Sequence, residues 1–323
     1  MFKLLQRRSA LAACVCTVAV AASACMATAP TTGGGTGSGS SGPKVGGCSV
    51  FPSDNAWNTD VSSYAVRANS AQYVANVNSS GNRMVHPDFG GAGQYGIPFK
   101  VVGANEPPRR IHYTLYGDES DPGPLPVPPN APIEGGNASD GDRHVVVVQQ
   151  GTCKLYELGR AFWRGDHWDA DVGVDWDLGS NALRPRGWTS TDAAGLPILP
   201  GLVRYDEVAS GVVKHALRFT VSRTQKGYVY PATHNASSST DATRPPMGLR
   251  FRLKASFDLS PYHGQSLVIL RALKKYGMLV ADNGSNWFIT GAADPRWNDD
   301  DLNQMKRVPG SAFEVVDTGA IHH

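Results

Sequence analysis

The chain has 323 residues, with 30 basic and 28 acidic side chains and a formal net charge of +2. Lys3, Arg7 and Arg8 fall in an opening stretch without acids, so the remainder carries about −1 (+2 less 3), which argues against a general nucleic-acid binder. A charged fraction of only 18%, with 36 glycines and 22 prolines, predicts many turns and few long exposed helices.

The opening basic head runs into apolar residues 10–22, and Ala22-Ser23-Ala24 supplies small side chains at a cleavage point. That order predicts an export signal over residues 1–24, with an apolar core too short to span a bilayer comfortably. Cys25 follows directly. Bacterial lipoproteins carry their lipid there, so Cys25 is the expected lipidation site and membrane anchor; without the lipid the product would be secreted. Residues 25–47, rich in Gly, Ser and Thr, read as a flexible linker. Residues 48–323 suit one β-rich globular domain. Once Cys14 and Cys16 leave with the signal and Cys25 is lipidated, Cys48 and Cys153 remain as an expected disulfide.

Residues 69–77 predict a short helix capped by Asn69 or Ser70. Ile111, Tyr113 and Leu115 alternate as in a strand, and a Pro/Gly/Asp loop follows over 118–141. Four valines within 144–149 predict a strand buried on both faces, paired as a hairpin with 153–158. Residues 215–221 and 228–234 both alternate. Their spacing predicts a hairpin in which Val221 faces Tyr228 and His215 faces His234. In 249–254, Leu249, Phe251 and Leu253 form an apolar face and Arg250, Arg252 and Lys254 a basic one. Residues 265–276 predict a helix ended by Gly277. Strands over 278–281 and 287–290 would be joined by a tight turn at 282–285. Asn298 or Asp299 caps a final helix, a better account of that acidic run than a calcium loop. The expected fold is mainly β: an antiparallel β-sandwich or jelly roll with long loops and two or three short helices.

No phosphate-cradling glycine loop, Gly-x-Ser-x-Gly elbow or His-Glu-x-x-His helix is present. Carboxylates are the plentiful chemistry. Glycoside hydrolysis needs two across a cleft, and Glu134 or Asp142 with Asp206 or Glu207 are the candidates. A polysaccharide lyase would instead need a base, His215 or His234, and a cation, with Arg184 better placed than Arg218. Trp188, Arg218, Asp282 and Trp287 are candidate substrate-binding residues, the indoles offering flat apolar faces. No cofactor is expected, although His215 and His234 could share a metal completed by a carboxylate or His144. The bland alternatives are histidines bonded to backbone and carboxylates in turns or ion pairs.

The segments Phe51-Pro-Ser-Asp-Asn-Ala-Trp-Asn, His86-Pro-Asp-Phe-Gly, Leu199-Pro-Gly-Leu-Val-Arg-Tyr-Asp-Glu and Ala281-Asp-Asn-Gly-Ser-Asn-Trp resemble a family of exported bacterial proteins and lipoproteins without an assigned reaction. The resemblance covers almost all of residues 48–318 and implies no catalytic residue. The residues together predict an exported, surface-tethered enzyme that cuts an extracellular polysaccharide, as hydrolase or lyase. The alternative is a noncatalytic glycan-binding or envelope lipoprotein. The expected partners are an extracellular glycan and a membrane reached through the lipidated N-terminus, with no nucleic acid.

Overall fold

Residues 42–323 are described by the computed structural model; the expected signal, Cys25 and the linker up to residue 41 lie outside the described residues. In chain order the elements are β1 (Lys44–Val45), β2 (Cys48–Ser49), α1 (Ser70–Val77), β3 (His86–Asp88), β4 (Phe99–Val102), β5 (Arg110–Tyr113), β6 (Val145–Gln149), β7 (Lys154–Gly159), β8 (Phe162–Trp163), β9 (His167–Ala170) and β10 (Val172–Asp177). The second half adds α2 (Tyr205–Ala209), β11 (Leu217–Val221), β12 (Arg250–Leu253), α3 (Gly264–Lys275), β13 (Met278–Asn283), β14 (Phe288–Thr290), α4 (Asp299–Leu302) and β15 (Phe313–Val315). The fold is mainly β, as expected. Its strands form four sheets ordered β1-β2, β10-β7-β6-β4, β15-β12-β13-β11-β14-β3 and β5-β9-β8. Parallel pairs (β4–β6, β5–β9, β11–β13, β14–β3) sit beside antiparallel ones, so the sheets are more mixed than the antiparallel expectation.

The valine run sets the layering. Val146 and Val148 join Phe219 and Phe251 of the six-stranded sheet in the large core. Val145 and Val147 turn the other way and pack with Trp168 and Ala170 in a second core. Alternate side chains of β6 therefore feed two cores, which is why no polar residue interrupts the run. The β6–β7 hairpin forms as expected. Cys48 and Cys153 are bonded, with Cα atoms 5.3 Å apart. The bond clips the β1–β2 ribbon, which begins within the expected linker, to the turn before β7.

Helix α3 buries Ile269, Leu270 and Leu273. The Asp301 carboxylate accepts the backbone N–H groups of Gln265 (2.8 Å) and Ser266 (3.0 Å) at its start. Gly277, at φ +66°, turns the chain out; a Cβ there would stand 2.2 Å from the Phe251 carbonyl, so only glycine fits. Asn298 caps α4 by accepting from the Asp301 N–H at 3.0 Å.

Three expectations are corrected. The hairpin over 215–234 does not form: β11 lies parallel to β13 on one side and antiparallel to β14 on the other, and residues 228–234 form no strand. β11 thereby also separates the two strands expected to share the 282–285 turn. The basic side chains of β12 stand as read and are buried: Arg252 pairs with Glu314 and with the Ser62 carbonyl, while Arg250 donates to the Tyr276 carbonyl at 2.8 Å. Trp287 is no sugar platform. It is fully buried among Phe219, Phe251 and Phe313, at ring separations of 5.9, 5.6 and 5.3 Å, with its N–H donated to Asn78 at 2.8 Å.

Candidate functional site

A row of polar side chains crosses the six-stranded sheet. Asp88 on β3 is in register with Thr290 on β14. Arg218 on β11 reaches the same Thr290, donating from Nη1 to Oγ1 at 2.7 Å. On β13 the pairing shifts between Phe219 and Thr220, leaving Ala281 as an extra residue and setting Asp282 opposite Thr220. Side chains alternate along a strand, so this bulge decides where Asp282 points. Without it Asp282 would face the same way as Phe219, into the core; with it, Asp282 shares the face of Arg218.

A strap of three residues covers that face, and each is held by a different side chain. His144 donates from Nε2 to the Thr191 carbonyl (2.9 Å). Arg218 donates from Nε to the Asp192 carboxylate (3.0 Å). His234 donates from Nδ1 to the Ala193 carbonyl (2.7 Å). The next amide, Ala194, bonds the carbonyl of the bulge residue Ala281 at 3.0 Å. Glu157, fully buried on β7, ties the start of the strap to the chain that follows it. It accepts from Thr191 Oγ1 (2.9 Å), the amides of Ile198 (2.9 Å) and Leu199 (3.0 Å), and Trp176 Nε1 (3.3 Å).

The electrostatics follow from burial and pairing. His144 Nδ1 lies 2.6 Å from the Glu134 carboxylate, and its other nitrogen also faces an acceptor, so the ring carries both protons. Burial works against that charge, but Glu134 outweighs it and lifts the imidazole to about 9. Burial likewise opposes ionisation of Glu134, yet the His144 bond holds it below the usual carboxylate range. Asp88 moves the opposite way: burial and the nearby Glu134 charge raise it, with Arg218 opposing. Asp192 is pushed up to about 7 by burial despite Arg218, and its Oδ1 has no partner. Asp282 is also raised by burial, with Arg218 opposing and Asp142 adding to the rise. Arg218 thus acts on Asp88, Glu134, Asp192 and Asp282, and His144 on the last three of these.

Asp88 also forms part of the wall of a cavity of about 430 Å³, together with His86, Tyr95 and Lys306. His86 stacks on Phe288 with ring centroids 4.1 Å apart; burial and the Lys306 charge favour its neutral form. Tyr95, 58% exposed, offers a ring face at the rim.

The cluster gathers Glu134, Asp142, Arg218 and Asp282 of the expected residues, with His234 bonded to the strap beside Asp192. It does not include the others. Asp206 is exposed and pairs with Arg296 at 2.8 Å. Glu207 sits with Arg204 (2.8 Å) and His215 (3.0 Å), and His215 is sealed from solvent. His215 and His234 therefore belong to different networks and do not come together as the alternative metal pair. Among the described residues no group of three or more His, Cys, Asp or Glu side chains is arranged to hold a metal ion. Arg184 is buried against Asp121 (2.8 Å) and the Thr189 carbonyl (2.8 Å), with Trp188 packed 5.5 Å over its guanidinium. Sequence reasoning passed over Asp88 and Asp192. Asp192 did carry a signal, being followed by an uncharged stretch over 193–203, the surroundings of a buried carboxylate.

No family model, curated protein or solved structure matches the chain. Function therefore rests on the chemistry of the site itself.

Proposed function

We propose that this protein is an exported enzyme that hydrolyses a neutral extracellular polysaccharide, with Asp88 as proton donor and Glu134 as its ionised partner. One observation carries the reading: two electrostatically coupled carboxyls are pushed in opposite directions, Asp88 up and Glu134 down, and the raised one borders a cavity. Glycoside hydrolysis needs that division of labour. His144 keeps Glu134 ionised, as a base for water or as a nucleophile. The excess of carboxylates favours a neutral chain over a uronate. Lyase chemistry fits less well, because Arg218 and Arg184 are both buried and already paired and neither is free to neutralise a uronate carboxylate.

The surface tether belongs to the same proposal: cleavage before Cys25 and lipidation there would hold the domain at the cell envelope. The export pattern of residues 1–24 supports it, and the Cys48–Cys153 bond fits an oxidising compartment.

The test is a panel of neutral and uronate polysaccharides, read for reducing ends and for unsaturated products. Reducing ends from a neutral polymer are expected. Asp88→Asn and Glu134→Gln should each lower turnover on the order of 100-fold or more in protein that still shows the parent's circular-dichroism spectrum. Unsaturated products would transfer the case to a lyase with His234 as base, whose Nε2 carries the lone pair of the neutral ring. Binding without turnover on every polymer would make this a glycan-binding lipoprotein.

A further inference from the structure

The register that aligns Arg218 with Leu279 on β13 also aligns Leu279 with Arg250 on β12. Arg250 therefore lies two strands beyond Arg218 on the same sheet face, about 10 Å away by strand spacing. It forms part of the lining of a separate cavity of about 380 Å³. Tyr64, Leu183 and Tyr230 also line this cavity and are 38%, 45% and 36% exposed, an apolar and aromatic rim unusual in a surface with few large exposed hydrophobics.

Arg250 itself is 2% exposed. Its terminal nitrogens donate to the carbonyls of Tyr276 and Ala56, which fixes the guanidinium plane. Its Nε has no partner. No carboxylate among the described residues pairs with it, whereas buried Arg184, Arg204, Arg218 and Arg252 each have one. A buried cation without an anion is costly unless something supplies the charge. Burial brings its pKa down to about 10, with only the Tyr64 hydroxyl opposing.

We propose that this cavity binds a small ring-bearing carboxylate, whose anionic group faces Arg250 and whose ring packs against Tyr64, Tyr230 and Leu183. Asp54, another lining residue, bonds Asn181 at 3.0 Å. Its negative charge penalises a dianion such as phosphate and leaves a monoanion preferred. The site is independent of the hydrolytic reading, since no residue of it belongs to the Asp88–Glu134 cluster.

Calorimetric titration of the mature protein with D-glucuronate, with D-glucose at equal concentration as the neutral probe, tests the idea. Glucuronate should bind at least tenfold more tightly than glucose, and raising salt should weaken it. Tyr64→Ala and Leu183→Trp, the first removing a wall and the second filling the space, should each weaken glucuronate binding at least tenfold. Arg250→Lys would break the anchoring of two carbonyls as well, so the two rim variants carry the test. Equal affinity for both sugars, no binding of either, or binding untouched by both rim variants would overturn the proposal.

Discussion

The Glu134–His144 pair allows a quantitative test of the site. The imidazole stands at about 9 against an ordinary 6.5; at roughly 1.36 kcal/mol per unit, that is about 3 kcal/mol favouring the charged ring. His144 has 9% and Glu134 28% of its side chain exposed, so solvent screens the pair only in part. Glu134→Gln removes the carboxylate but preserves the side chain's size, and leaves burial, which disfavours the cation, dominant. His144 in the variant should therefore titrate below 6.5. Imidazole nitrogen and carbon shifts followed by NMR from pH 5 to 10 give both values directly. The sign for stability follows. A raised histidine contributes fully below 6.5, and the contribution is lost as pH rises through about 9. Parent and Glu134→Gln should differ by about 3 kcal/mol in unfolding free energy near pH 6, and the gap should narrow toward pH 10. A parent His144 that titrates near 6.5, or a variant that titrates where the parent does, would refute the account of the site's charge.

Three further outcomes are expected. Glu207 is held at about 2, since the Arg204 and His215 charges outweigh burial; its stabilisation is present above 4.5 and lost as pH falls through 2. Glu207→Gln should therefore cost about 3 kcal/mol near pH 6 and almost nothing near pH 2, and a pH-independent deficit in circular-dichroism melts would contradict this. Replacing Cys48 and Cys153 by Ala opens a loop whose ends are 105 residues apart, a loss of up to about 4.7 kcal/mol on loop entropy; an unchanged urea midpoint would rule that out. Glu157→Gln leaves too few acceptor lone pairs for the four donors now converging on it, at a cost of about 2 kcal/mol. The Ile198 and Leu199 amides should then exchange with deuterium faster than in the parent, and unchanged protection would count against Glu157 as the fastening of the strap.

Local signals in the sequence were legible. The four valines, the hairpin they open, the Gly277 helix stop and the Asn298 cap each depend on neighbours a few residues apart. The Cys48–Cys153 pair was found because the expected export and lipidation left no other partner. The 215–234 hairpin failed because alternation shows which residues share a face, not which strand lies beside them. The true neighbours of β11 come from 278–290, and a parallel pair leaves no turn between its strands to read. The Asp88–Glu134 coupling was hidden for a related reason: Asp88 lies on a short strand and Glu134 in a distant loop, and no local pattern links the two. That Arg250 and Arg252 are buried was not legible, because a buried arginine is recognisable only by the carbonyls and carboxylates it meets.

The disulfide also governs how the domain would carry mechanical load. Traction arriving along the chain at residue 42 meets a covalent junction at Cys48 and passes through Cys153 to β7, inside the four-stranded sheet. The backbone between those cysteines, which includes Asp88, Glu134 and His144, is a slack branch of the force path. Were the domain pulled from residue 42, that part of its site would thus stay unloaded, and reducing one bond would place all three residues in line with the pull.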